Sequence, residues 1–201
     1  MKRIARRHRR LRLMKLCVVA LLVGGLVLSF WLGRGGTVYD DVARFDGHWF
    51  PVDRVVDGDT LRVLDGGESV SVRLLGIDTP EPGAPGGDQA TDAVKRVLGD
   101  RVLLDVHGPR TRDKYGRLLA YVYLSESEML NRLLINEGLA YAYRPKAHAF
   151  SRDFGTAEAR ARKKQLGLWA TITDEQQPVW RQKWLSKEEE RRKAALMPWQ
   201  R

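Results

Sequence analysis

Five short runs of β-type residues, separated by turn chemistry, constrain this chain more than any other feature. Phe50 to Val56 is the first. Asp57-Gly58-Asp59 supplies a turn, and Thr60 to Leu64 is the second run. Asp65-Gly66-Gly67 reads as a hairpin turn. Glu68 to Leu75 then alternates polar and apolar residues, as a half-buried strand should. Arg101 to Val106 and Arg117 to Leu124 complete the set. A Pro/Gly loop at Pro82 to Gly87 and a helical period over 88–98 separate the third run from the fourth. Helical patterns follow the fifth: Glu128 to Glu137, stopped by Gly138, then a basic segment from Ala157 to Gly167. Strands first and helices after predict an α+β domain built on a small closed barrel. Pro178 to Arg201 carries Trp180, Trp184 and a capping-box pattern at Ser186 and Glu189, and reads as one more helix. Trp180, Trp184 and Leu185 would pack its apolar face on the barrel, since exposed aromatic clusters are rare.

A second constraint lies upstream. Leu16 to Leu32 is 17 residues without a charge. As a helix it spans about 26 Å. That falls slightly short of a hydrocarbon core of roughly 30 Å, a gap that local thinning and a snorkelling Lys15 can cover. Phe30 and Trp31 sit at the far end, where aromatic rings favour the interface. The abutting basic cluster argues against a buried core helix. Ser29 to Gly36 offers no small-x-small cleavage site, and no lipid-attachment pattern precedes Cys17, so an uncleaved signal anchor is the better reading. The expected segments are a basic cytoplasmic tail at 1–15, a transmembrane helix at 16–32 lodged in the lipid bilayer, a linker at 33–45, a globular domain at 46–170 and a helical extension at 171–201. The positive tail holds the N-terminus in the cytoplasm and sends the domain to the other side.

Composition sharpens this division. The chain carries 35 Lys and Arg against 25 Asp and Glu, and eight of the basic residues fall in the first fifteen positions beside no acid. The net charge of +10 therefore belongs mostly to the tail and does not by itself argue for nucleic-acid binding. A single cysteine excludes an intramolecular disulfide framework and a cysteine-rich zinc site, and no disulfide-linked partner is expected.

Candidate chemistry rests on carboxylates and arginines. No phosphate-binding Gly-Lys loop, HExxH or dinucleotide fingerprint occurs, and the four histidines are scattered without ligand spacing. Asp59 starts the second strand, and Asp78 lies just past the third, in Gly76-Ile-Asp-Thr-Pro-Glu81. If those strands form a hairpin, antiparallel pairing sets the two acids side by side at one barrel end. Hard oxygen ligands meeting there suit Ca²⁺. An EF-hand over Asp57 to Glu68 fails, because Leu61 and Arg62 fall where an oxygen ligand and a glycine are needed. Asp57-Gly58-Asp59 alone would be only a turn. Arg73 and Arg117 break apolar runs, and a surface role is the simplest reading of either alone. A metal beside two arginines is also what phosphoryl transfer requires, and a carboxylate can deprotonate the attacking water.

Taken together, Val56-Asp-Gly-Asp-Thr60, Val72-Arg-Leu-Leu-Gly-Ile-Asp-Thr-Pro-Glu81, Asp113-Lys-Tyr-Gly-Arg117 and Leu119-Ala-Tyr-Val-Tyr123 resemble the micrococcal (staphylococcal) nuclease, or thermonuclease, family. Leu130 to Ala140 and Glu158 to Trp169 extend the resemblance, which runs in order from Val52 to Trp169. It implies a five-stranded OB-fold β-barrel with packed helices and a Ca²⁺-dependent phosphodiesterase acting on DNA and RNA. By motif position, Asp59 and Asp78 would hold the metal, with the Thr79 carbonyl as a further ligand. Glu81 would be the general base, and Arg73 and Arg117 would grip the scissile phosphate. Lys114 and Tyr115 would reach a terminal phosphate, and Tyr141 and Tyr143 would line the nucleotide pocket, where rings stack on bases. The loop after Glu81 is short and Pro/Gly-rich, where the well-known member has a longer lysine-rich one. The alternative is a non-catalytic OB-fold module binding nucleic acid or protein, which has no need for the full set of Asp59, Asp78, Glu81, Arg73 and Arg117.

Overall fold

The computed structural model describes residues 38–106 and 108–196. The basic tail, the apolar run at 16–32, the glycine-rich stretch at 33–37 and the end of the extension lie outside the described residues. Among the described residues no helix is long and apolar enough to cross a membrane. The chain divides into two units, Met1–Asp41 and Val42–Arg201. Helix α1 (Val38–Phe45) spans the boundary, so part of the expected linker is helical.

The elements then run β1 (His48–Val55), β2 (Thr60–Asp65), β3 (Glu68–Leu74), β4 (Ile77–Asp78), α2 (Gly87–Val97), β5 (Arg101–Asp105), β6 (Leu118–Ser125), β7 (Glu128–Met129), α3 (Leu130–Asn136), β8 (Tyr141–Ala142), α4 (Ser151–Lys163) and α5 (Val179–Leu196). β1, β2 and β3 form an antiparallel meander. β5 pairs antiparallel with both β1 and β6. A parallel pairing of β3 with β6, from Val72 opposite Leu118 to Leu74 opposite Ala120, closes the ring. The result is a five-stranded closed barrel in an α+β domain, consistent with an OB-fold. Alternation fills its interior: Leu61, Val63, Val72, Leu74, Val102, Leu104, Leu118 and Ala120 are buried.

Helices cap the barrel through narrow apolar stripes. α2 buries Ala90, Ala93 and Val94, small side chains that let its backbone approach the strands closely. α3 buries Leu130, Leu134 and Ile135, and its buried Asn131 ties the middle of β6 to the end of β3, accepting from the Val122 N–H and donating to the Leu75 carbonyl, both at 2.9 Å. α4 buries Phe154, Ala157, Glu158 and Ala161 at the i, i+3, i+4, i+7 spacing of one helical face.

Several boundaries differ from the sequence expectation. The helix expected at Glu128 starts at Leu130, because Glu128 and Met129 pair with β6. α4 starts at Ser151, six residues before the expected Ala157, since Phe154 extends the buried stripe backwards. Ser186 does not cap a helix. It lies inside α5 and donates to the Gln182 carbonyl at 3.0 Å, one turn back. A capping-box contact occurs instead at Thr173, whose N–H donates to the Gln176 side chain at 3.0 Å.

Candidate active site

The site grows from two registers. Pairing of β2 with β3 sets Thr60 opposite Arg73, and the Leu74 N–H bonds the Asp59 carbonyl at 2.8 Å. Gly76, at φ +79°, then ends β3 in a conformation that side-chain-bearing residues rarely adopt. The chain re-emerges as β4, whose Asp78 lies opposite Tyr141 of β8. These two steps bring Asp59, Arg73 and Asp78 together.

Arg73 lies between the carboxylates. Its Nη2 is 2.8 Å from Asp59 Oδ2 and 2.9 Å from Asp78 Oδ1. Its Nη1 donates to the carbonyls of Leu74 and Ile77, at 2.9 and 3.0 Å, which fixes the guanidinium plane. The Thr79 N–H donates to Asp59 Oδ2 at 3.1 Å. The Thr60 hydroxyl donates to Asp59 Oδ1 at 3.1 Å and accepts from Arg117 Nη1 at 3.3 Å, so Thr60 links the two arginine systems. Arg117 is aimed by Asp113, whose Oδ2 accepts from its Nε at 2.7 Å. Asp113 Oδ1 also takes the N–H groups of Tyr115 and Arg117. Burial works against the charged Asp113, but these bonds outweigh it and hold its carboxyl below the usual range.

Charge at this end of the barrel is under-compensated. Burial pushes the Asp59 carboxyl up to about 7; Arg73 opposes the rise, while the nearby Asp57 and Asp78 add to it. Burial likewise raises Asp78, against hydrogen bonds from Trp180 and Arg73. A buried and a half-buried carboxylate sharing one guanidinium favour a further positive charge. Their hard oxygens, with a backbone carbonyl and water, fit Ca²⁺. No group of three or more His, Cys, Asp or Glu side chains arranged to hold a metal occurs among the described residues. The protein side chains here contribute two carboxylates, and the Thr79 carbonyl and water would complete the shell.

The remaining predicted residues are placed unevenly. Glu81 is exposed in the loop before α2, and its carbonyl accepts from the Ala84 N–H at 2.9 Å. A Cβ on Gly87 would stand 2.0 Å from that carbonyl oxygen, so only glycine fits there and the loop path is fixed. Lys114 and Tyr115 project from the 113–116 turn, with Lys114 Nζ 4.7 Å and the Arg117 guanidinium 5.5 Å from the Tyr115 ring centre. Tyr143 packs on Trp180, ring centres 5.0 Å apart. Tyr141 departs from expectation. It is wholly buried, edge-on to Trp169 at 5.4 Å and beneath the Arg181 guanidinium at 5.3 Å. It supports the floor beneath β4 and does not line an open nucleotide surface, because α5 covers it.

Sequence reasoning missed what α5 does. Trp180, Arg181 and Trp184 share one face of α5 and turn inward, and Gln177, in the extended segment just before the helix, is buried beside them. Arg181 is buried, bonding Glu158 at 2.7 Å and Gln177 at 2.8 Å. The Arg144 guanidinium lies 5.1 Å from the Trp184 ring centre. The Trp180 Nε1–H donates to Asp78 Oδ2 at 2.8 Å. The tail thus packs on the β8 region and the carboxylate site. The sequence shows Trp180, Trp184 and Leu185 as the apolar face and assigns Arg181 no role, because its partner Glu158 lies 23 residues upstream.

Residues 71–171 match the family described as staphylococcal nuclease homologue. A thermonuclease of Staphylococcus intermedius is 35% identical over 160 residues, covering 76% of this chain and 95% of that protein. This chain belongs to the staphylococcal nuclease family. It is a nuclease, a hydrolase of phosphodiester bonds. A protein of Bacillus subtilis (strain 168) named endonuclease YncB is 35% identical to it over 129 residues, 59% of this chain and 60% of that one. An uncharacterized endonuclease of Escherichia coli O157:H7 is 30% identical over 130 residues, 64% of this chain and 81% of that one. The family match takes in Arg73, Asp78, Thr79, Glu81 and Arg117 of this nuclease; α5 lies beyond its end.

Proposed function

We propose that this nuclease is Ca²⁺-dependent, cleaves DNA and RNA, and works outside the cytoplasm, anchored in a lipid bilayer through residues 16–32. One observation carries the calcium reading: Asp59 and Asp78 converge on a single Arg73 nitrogen, leaving buried negative charge in excess. Millimolar external Ca²⁺ suits such a low-charge, hard-ligand site. The uncharged run behind a basic tail supports the anchor and its orientation.

Asp59, Asp78 and the Thr79 carbonyl would hold the ion. Bound there, Ca²⁺ supplies a Lewis acid that polarises the phosphate and offsets its charge. Arg73 and Arg117 donate to the non-bridging oxygens, and their forks suit a phosphate better than an ammonium would. They count most where charge peaks, in the transition state. Glu81, exposed in the loop between β4 and α2, takes the proton of the attacking water on a carboxylate oxygen. Lys114 and Tyr115 flank Arg117 and contact a neighbouring phosphate. Tyr143 offers a ring to a base.

Incubating the detergent-solubilised full chain with DNA and RNA, in Ca²⁺ or in chelator, tests the chemistry. Cleavage of both in Ca²⁺ alone is expected; equal cleavage in chelator overturns the calcium reading, and cleavage of neither overturns the substrate reading. A reporter fused after Arg201 should be active only outside the cytoplasm, and a cytoplasmically active fusion refutes the topology.

A further inference from the structure

The last described helix reaches the same carboxylate from the far end of the chain. Pro178 precedes α5, so Trp180 sits in its first turn. One residue on, Arg181 is 1% exposed and bonded to Glu158, which is itself buried and accepts the Ala142 N–H at 2.9 Å. This anchor leaves the helix little freedom to rotate or slide. Trp180 is thereby presented to Asp78 with its ring against Tyr143 and its N–H on Oδ2. Arg73 holds the other oxygen, Oδ1. Each carboxylate oxygen is thus held by its own donor, and each keeps a lone pair for a ligand.

We propose that Trp180 is a positioning residue of this nuclease: its indole N–H locks the Asp78 carboxylate in the orientation that receives the divalent cation, so that α5 completes the metal site. The assignment rests on the calcium reading above. Its physical basis is general. Ligating carboxylates are themselves hydrogen-bonded, and losing such an outer partner typically costs about 10- to 100-fold in metal affinity or activity. A carboxylate freed at one oxygen must give up rotational freedom again each time it binds the ion.

Trp180→Phe tests this. Phenylalanine keeps a ring on Tyr143 and removes the N–H together with part of the indole's bulk, a truncation that Trp184→Phe reproduces without touching Asp78. Ca²⁺ binding to the full chain is measured by titration calorimetry and by the Ca²⁺-induced rise in Tm, both independent of turnover. The expected result is a Ca²⁺ dissociation constant roughly 10- to 100-fold higher, a chelator-state denaturation midpoint near that of wild type, and cleavage restored by added Ca²⁺ with KM for DNA little changed. Trp184→Phe, on the same helix but packed on Arg144, should leave Ca²⁺ affinity as it is. An unchanged affinity in folded Trp180→Phe, or cleavage faster than wild type at all Ca²⁺ concentrations, overturns the assignment; the second result would make the indole a cover over the site. A wild-type chain that binds no Ca²⁺ overturns the calcium reading and this assignment together. Wild-type binding with an indifferent Trp180→Phe overturns the assignment alone.

Discussion

Replacing Asp59 by asparagine should stabilise the metal-free protein at neutral pH while removing its response to Ca²⁺. The folded carboxyl titrates at about 7 against an ordinary value of 3.8. Between those values the folded chain holds a proton that the unfolded chain has released. The native state binds more protons, so stability falls as pH rises through that window. A rise of about three units corresponds to about 4 kcal/mol at most, using roughly 1.4 kcal/mol per unit. An amide cannot accept at both positions where Asp59 now takes bonds from Thr79 and Thr60. One weakened hydrogen bond returns about 1–2 kcal/mol of that. Asp59→Asn should therefore be about 2 kcal/mol more stable than wild type at pH 8 in chelator, and about 1–2 kcal/mol less stable at pH 4, where only the weakened hydrogen bond remains. Urea midpoints across pH 4–8, with and without Ca²⁺, measure both effects. Wild type should lose stability with rising pH and regain it with Ca²⁺; the variant should do neither. A wild-type profile that climbs with pH in chelator would refute the reasoning.

Three further outcomes follow from the same geometry. Glu81→Gln should lower the cleavage rate by roughly 10²–10⁴, the usual worth of a general base, with Ca²⁺ affinity and urea midpoint nearly unchanged; near-normal cleavage by the folded variant would remove Glu81 from that role. Asp113→Asn should slow cleavage without weakening Ca²⁺ binding, because it loosens the aim of Arg117 and touches neither metal ligand; single-turnover rates alongside calorimetry separate the two. Glu158→Gln should destabilise the fold by about 3–5 kcal/mol, since it leaves the buried Arg181 without its anion; a urea midpoint equal to wild type would show that the pair does not hold α5.

How much of this was legible depended on range in the sequence. Asp59 and the end of β3 could be brought together from local rules alone, by a turn, two alternating strands and a hairpin, and the β2–β3 register agrees; Asp78 itself lies on β4, held by the distant β8. The barrel followed from counting strands, although its closure depends on the parallel β3–β6 contact, which no local pattern specifies. The start of α4 was obscured by Gly155, a poor helix former within an otherwise periodic stripe. Tyr141 was misplaced because its burial is imposed by Arg181 and Trp169, both distant in the chain. Trp180 was read as packing surface because its partner, Asp78, lies about a hundred residues upstream. Ser186 with Glu189 matched a capping box by spacing, but Val179 had already started the helix, and a mid-helix serine bonds backwards instead.

The central claim is that Asp59 and Asp78 form the divalent-ion site on which cleavage depends. The most direct measurement is the initial rate of DNA cleavage against free Ca²⁺ for wild type and Asp59→Ala, with Mg²⁺ in parallel. The account predicts a saturable Ca²⁺ dependence in wild type, a curve shifted to much higher Ca²⁺ in the variant, and poor substitution by Mg²⁺, which demands a tighter octahedral shell. Superimposable curves for the two proteins, or turnover in Mg²⁺ equal to that in Ca²⁺, would contradict it.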